Sequence, residues 1–196
     1  AVRMERNVCT HEHDCGNEDF GGSSLHGHIN HQRVTVLNAE DDAAAPRVLR
    51  PWEERLEREG EPLRSDDDPE LILHIPFTCD VKVRGIMVIG GGEGRAPRRM
   101  EAWTDKAAGE ISLSNAARRT PTQAWNIVED LQGVLEYQTD LTKFQAVSSL
   151  TLFFPTNVAS TGTTEIWYVG LRGEGTGNVR DMRVTTAYEV AFKLNS

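Results

Sequence analysis

The apolar residues of this chain fall into strand-length runs, and that spacing limits what it can fold into. The runs occupy residues 34–37, 71–75, 81–89, 134–137, 150–154, 166–171 and 182–190. Between them stand residues that turn or break a chain, among them Pro76, Asp80, Gly90, Gly91, Gly92, Pro121, Gly133, Pro155, Asn157, Gly173 and Gly175. Within 81–89 the apolar positions alternate as Val81 and Val83, with Lys82 and Arg84 facing away, and then resume as Ile86 and Val88. The phase slips at Gly85, which predicts a β-bulge there. Only residues 52–59 have helical character, a charged turn or two with Glu54 and Arg58 at the i,i+4 spacing of an ion pair. Short strands between frequent turns predict an all-β, single-domain fold, a sandwich or a jelly roll.

At 196 residues the chain suffices for one well-buried core and is short for two. The first 33 residues are rich in Gly, His, Asn, Asp and Glu and lack an apolar period, so 1–33 reads as a flexible arm. The folded domain is then expected at 34–190, with a short tail at 191–196. No apolar stretch nears the roughly 20 residues of a membrane span, and no basic segment leads into an apolar one as a secretion signal would. Three cysteines, Cys9, Cys15 and Cys79, are an odd number and too few for a disulfide framework, which predicts a reducing compartment, cytoplasm or nucleus. A formal net charge of −9 argues against nucleic acid as a partner. Over residues 50–70, nine acidic side chains oppose four arginines, a concentration that favours a basic partner.

Two clusters invite a ligand. Cys9, His11, His13 and Cys15, followed by His26, His28 and His31, are zinc-type donors in kind and number. An extended backbone would hold Cys9 and Cys15 roughly 20 Å apart, so a single ion requires the segment to curl; the plainer reading is a polar, His-rich tail. Asp66, Asp67, Asp68 and Glu70 resemble a calcium loop only superficially, because Leu71 and Phe77 stand where such a loop needs its Gly and its bidentate Glu. A solvated turn and acidic docking patch describes them better. The glycines at 90–94 are not followed by the Gly-Lys-Ser/Thr ending of a phosphate loop.

No nucleophile motif is present, and Cys79 has neither a Cys-x-x-Cys partner nor a histidine nearby in sequence. The sequence therefore predicts a binding protein and no enzyme. Of the four tryptophans, Trp167 lies in an apolar run, whereas Trp52 stands among charges and is the better interface anchor. Trp103 and Trp125 beside long loops suggest an alternative, a carbohydrate- or small-ligand-binding jelly roll. A structural subunit of another complex is a further alternative.

Pro51-Trp52-Glu53-Glu54-Arg55, Ser65-Asp66-Asp67-Asp68-Pro69-Glu70-Leu71 and Ile75-Pro76-Phe77-Thr78 occur in the order and spacing of PITH domains. Val81-Lys82-Val83-Arg84-Gly85-Ile86, Leu135-Glu136-Tyr137, Lys143-Phe144 and the segment 168–174 continue the likeness across 34–190. The chain resembles the stand-alone members of that family, whose His- and Cys-bearing start is similar to His11, His13, Cys15, His26 and His28. The family takes its name from a proteasome-interacting thioredoxin-like protein. The resemblance implies a jelly-roll β-sandwich, galactose-binding-like, association with the regulatory particle of the 26S proteasome, and residence in cytoplasm and nucleus. No Cys-x-x-Cys occurs, so thioredoxin chemistry does not carry over. The expected docking surface combines Trp52, Glu53, Glu54, Asp66, Asp67, Asp68 and Glu70 with Arg172 and Glu174. Arg172 has a second, structural reading as a carboxylate partner of Glu174 or of Asp66 to Asp68.

Overall fold

The computed structural model describes residues 22–160 and 162–179. Among them nine strands form one antiparallel sheet that curls on itself. In chain order these are β1 (Ser23–Ser24), β2 (Thr35–Leu37), β3 (Leu63–Arg64), β4 (Leu71–Gly90), β5 (Arg99–Thr104), β6 (Gln123–Asn126), β7 (Tyr137–Gln138), β8 (Val147–Phe154) and β9 (Glu165–Val179). Two one-turn helices, α1 (Ala44–Arg47) and α2 (Asp105–Ala108), lie between strands. The main path runs β1-β9-β4-β8-β5-β6, while β2 and β7 pair with β4 and β3 pairs with β9.

β4 organises the fold. It joins the two apolar runs that Pro76 and Asp80 divide, pairing through Leu71–Pro76 with β8 and through most of its later residues with β9. Proline has no N–H for the ladder, and the β8 pairing becomes irregular between Pro76 and Val81. The strand can therefore bend there and serve both halves of the curl. Leu71, Leu73, Ile75, Val81 and Val83 face the main core, and after the slip the facing residues are Ile86 and Val88. The bulge expected at Gly85 is present, as a register shift between Val83 and Gly85 against β9.

Leu150, Leu152 and Phe154 of β8 and Ile166 and Leu171 of β9 complete that core. Each large side chain buried there contributes roughly 1.5–3 kcal/mol. On the other face of the sheet, Ile72, Trp103 and Phe153 form one satellite cluster and Met87, Ile89 and Tyr168 another.

The ordered fold starts earlier than Val34. Ser23 and Ser24 pair with Arg172 and Gly173, Leu25 is fully buried with its N–H on the Leu171 carbonyl at 2.8 Å, and Ile29 bridges to Phe77. Two apolar residues among polar neighbours carry no period, so this strap was invisible to a pattern search. The expected run at 134–137 contributes only its last residue to a strand, and 182–190 lies outside the described residues. β5 and β6 were not anticipated. β6 buries none of its four residues, and β5 buries Met100 and Ala102 but also Trp103, which breaks the alternation.

Candidate functional site

The segment after Pro51 and the segment around residues 127–138 enclose a cleft of about 470 Å³. Trp52, Arg55, Met87, Gly133, Val134, Leu135, Glu136, Gln138 and Arg172 line it.

The first wall is a tight turn at Trp52–Glu54, entered from Pro51 in extended geometry. Trp52 is half-buried against Met87, Ile89 and Tyr168. The Arg55 guanidinium lies 3.8 Å from the centre of the Trp52 ring and donates to the Trp52 carbonyl at 3.3 Å. Cation–π stacking of this kind contributes about 0.5–1 kcal/mol at a surface and, more usefully, fixes where the charge points. Arg58 sits 4.8 Å from the Trp167 ring and donates to the Leu131 carbonyl at 3.2 Å, which ties the two walls together. The expected Glu54–Arg58 ion pair is not among those of the described residues; Arg58 is held by Trp167 and Leu131.

The second wall is a loop built around one carboxylate. Asp130 is buried, and its Oδ1 accepts from the N–H groups of Gln132 at 3.0 Å and Gly133 at 2.9 Å, while Oδ2 accepts from Leu135 at 2.7 Å. The Tyr137 hydroxyl accepts from the Val128 N–H at 3.0 Å, and burial raises that phenol's pKa. Gly133 has φ +65 with Ile89 against it, a conformation and a closeness that an L side chain resists. On this fixed frame Val134 is 77% exposed, Val128 59%, Leu131 42% and Leu135 41%. Apolar side chains grouped on a fixed, solvent-facing loop have the character that a contact surface requires.

The floor is a buried ion pair. Arg172 Nη1 meets Glu136 Oε2 at 3.4 Å, with both side chains 7% exposed, and Gln138 Nε2 donates to Glu136 Oε1 at 3.0 Å. Glu136 reaches this position because Gly85, opposite Arg172, has no side chain; a Cβ there would overlap the carboxylate. The structural reading of Arg172 is thus met by a carboxylate other than those expected. Glu174 is exposed and bonds to Arg84 at 2.6 Å.

The acidic turn lies elsewhere. Asp68 Oδ1 accepts from Asn38 Nδ2 at 2.8 Å and from the Glu70 N–H at 2.9 Å, so Asp68 builds the turn. Burial, and next the Asp68 charge, raise the Glu70 pKa. Asp66 and Asp67 are exposed. Ser65 ties this turn to Thr164, whose N–H donates to Ser65 Oγ at 2.8 Å. Arg172 is eight positions further along, about 25 Å at strand rise. The nominated residues therefore do not form one surface: Trp52 and Arg172 line the cleft, Glu53 and Glu54 are exposed on the flank facing His26, and 66–70 stand apart.

The two tryptophans of the expected carbohydrate platform differ: Trp103 is buried, whereas Trp125 is only partly buried. Trp103 is 1% exposed and donates to the Thr120 carbonyl at 3.0 Å, while Trp125 packs against Phe144 and donates to the Gln138 carbonyl. Cys9, His11, His13 and Cys15 lie outside the described residues. The two nominated donors within them do not converge: His26 lies against His31, ring centres 4.7 Å apart and tilted by 54°, whereas His28 Nδ1 lies 3.4 Å from Cys79 Sγ. Among the described residues no three His, Cys, Asp or Glu side chains gather as a metal set. The fold thus gives Cys79 the histidine that sequence proximity did not.

Sequence reasoning missed Arg55, Met87, Val134, Leu135 and Glu136 as site residues. The available signal was local: four apolar residues between 128 and 135, interleaved with Asp130 and Gly133, are too apolar for a simple turn and too irregular for a strand.

Comparison with known proteins places this geometry in context. Residues 16–192 match a family model described as PITH domain. PITH domain-containing protein 1 of Dictyostelium discoideum is 34% identical over 183 residues, covering 93% of this chain and 87% of its own length. PITH domain-containing protein 1 of Homo sapiens is 35% identical over 152 residues, covering 78% and 70%. Among solved structures, the CBM32-1 and CBM32-2 domains of Clostridium perfringens ZmpB in complex with GalNAc align with a TM-score of 0.51 at 6% identity, over 76% of this chain and 35% of that one. That likeness is one of fold, and it bears out the galactose-binding-like jelly roll.

Proposed function

The chain belongs to the PITH domain family, and from that membership we propose that it works as a non-enzymatic protein-interaction module that docks on a larger assembly. The observation that carries this reading is the preorganised apolar loop 128–135 beside the Trp52 cleft. Its backbone N–H groups are bound by Asp130 while its apolar side chains face water. A loop already held in place loses little conformational entropy on binding. The partner proposed is the regulatory particle of the 26S proteasome, in cytoplasm and nucleus, as the resemblance to the proteasome-interacting thioredoxin-like protein implies.

Co-sedimentation of the purified chain with intact 26S proteasomes tests this. The expected result is wild-type chain in the pellet at micromolar concentration and the Val134→Asp variant in the supernatant. Val134 is far too exposed for its replacement to disturb the core. Wild-type chain that stays in the supernatant refutes the proposed partner.

A further inference from the structure

We infer that the cleft receives an acidic–apolar peptide segment: a large apolar side chain seated among Met87, Val134 and Leu135, with a neighbouring carboxylate bound by Arg55. This rests on the docking reading and specifies the chemistry of what docks.

The charge of the cleft carries the inference, because it opposes the charge of the molecule. The whole chain has a formal net charge of −9, yet the lining holds two arginines against one glutamate. That glutamate, Glu136, is already bonded to Arg172 and Gln138. Arg55 has no carboxylate within ion-pair distance among the described residues; its Nη1 donates only to the Trp52 carbonyl and its Nε is buried without a hydrogen-bond partner. Arg58 beside it is likewise bonded to a carbonyl, that of Leu131, and stacked on an indole. A guanidinium held over a tryptophan ring can still present outer N–H groups to a carboxylate. Arg47, Arg84, Arg99 and Arg119, by contrast, each meet a carboxylate of this chain, while the exposed Arg98 and Arg118 lie outside the cleft lining.

Apolar surface surrounds that charge. Met87 adapts readily to the shape of an inserted side chain, and about 470 Å³ lies within the range of ligand-sized clefts. At physiological salt, charges more than about 8 Å away are largely screened, so the local guanidinium outweighs the net negative charge of the remainder.

The test is fluorescence anisotropy of the full chain with two labelled ten-residue peptides. One carries leucine and phenylalanine flanked by aspartates; its twin has lysines in place of the aspartates. The acidic peptide is expected to bind at least about tenfold more tightly, the fold-change of one charge-assisted hydrogen bond. Arg55→Gln should abolish the preference and Arg55→Glu should invert it, both with unchanged thermal unfolding. Equal binding of the two peptides, no binding of either at millimolar concentration, or a preference unchanged by Arg55→Glu overturns the inference. If proteasome binding is lost in Val134→Asp but intact in Arg55→Glu, the docking reading stands and the acidic occupant is refuted. If both variants bind like wild type, both are refuted.

Discussion

Arg172 and Glu136 are one unit, because neither charge can stay buried without the other. Replacing Arg172 with Met leaves the Glu136 carboxylate in a site that is 7% exposed, and the expected loss of stability is about 3–5 kcal/mol. Adding Glu136→Leu removes the orphaned charge and should restore most of that loss; urea unfolding of both variants checks it, and a double variant no better than the single contradicts the pairing. His74 gives a second residue-scale prediction. Thr151 Oγ1 donates its proton to the Ala108 carbonyl at 2.9 Å, so it accepts from His74 Nδ1 at 2.8 Å, which fixes the Nδ1–H tautomer. Burial, and next the Arg33 charge, lower the His74 pKa below 6.5, so folding favours the neutral ring. The unfolded state binds the proton more tightly. The contribution of His74 is therefore fully present above pH 6.5 and is lost as pH falls through the lowered folded value. Stability should decline on acidification below pH 6.5, and His74→Gln should flatten that slope. At this scale the structural reading of Arg172 was legible in sequence, but its partner was not, since a carboxylate 36 residues away reaches it only through the gap that Gly85 leaves.

Among elements, the loop around Asp130 is the one whose construction matters most to the proposed docking. Asp130→Ala removes the acceptor of three backbone N–H groups, a cost of about 1–3 kcal/mol for each donor left buried and unsatisfied, less where water replaces the carboxylate. Amide exchange at Gln132, Gly133 and Leu135 should quicken while β4 and β9 keep their protection. Unchanged exchange in the loop would mean that Asp130 does not hold it. The bulge in β4 was readable because period-two alternation is a local property, and one slipped residue announces itself. β1 was not, because its two serines owe their strand to the edge of β9 and to Leu25 beneath it. The 134–137 run misled for the converse reason: its apolar residues serve exposure on a loop, whereas alternation arguments assume that apolar residues seek the core.

At the scale of the whole molecule, the strand-length runs point to an all-β sandwich or jelly roll, and the fold neighbour agrees with the jelly roll. Composition was less informative about how charge is distributed over the fold. The acidic excess at 50–70 drew attention to Asp66–Asp68, yet the fold uses Asp68 to build a turn about 25 Å along β9 from Arg172. Long-range sheet pairing, which a linear charge count cannot see, decides which charges share a surface. The cleft joins segments some 80 residues apart in sequence, so its residues come together only once β4 and β9 have paired. The most direct test is the amide-exchange footprint of the chain bound to 26S proteasomes against the free chain. Protection gained at residues 52–58 and 131–138, with 66–70 unchanged, is the predicted result; protection confined to 66–70, or none anywhere, would contradict docking through the cleft.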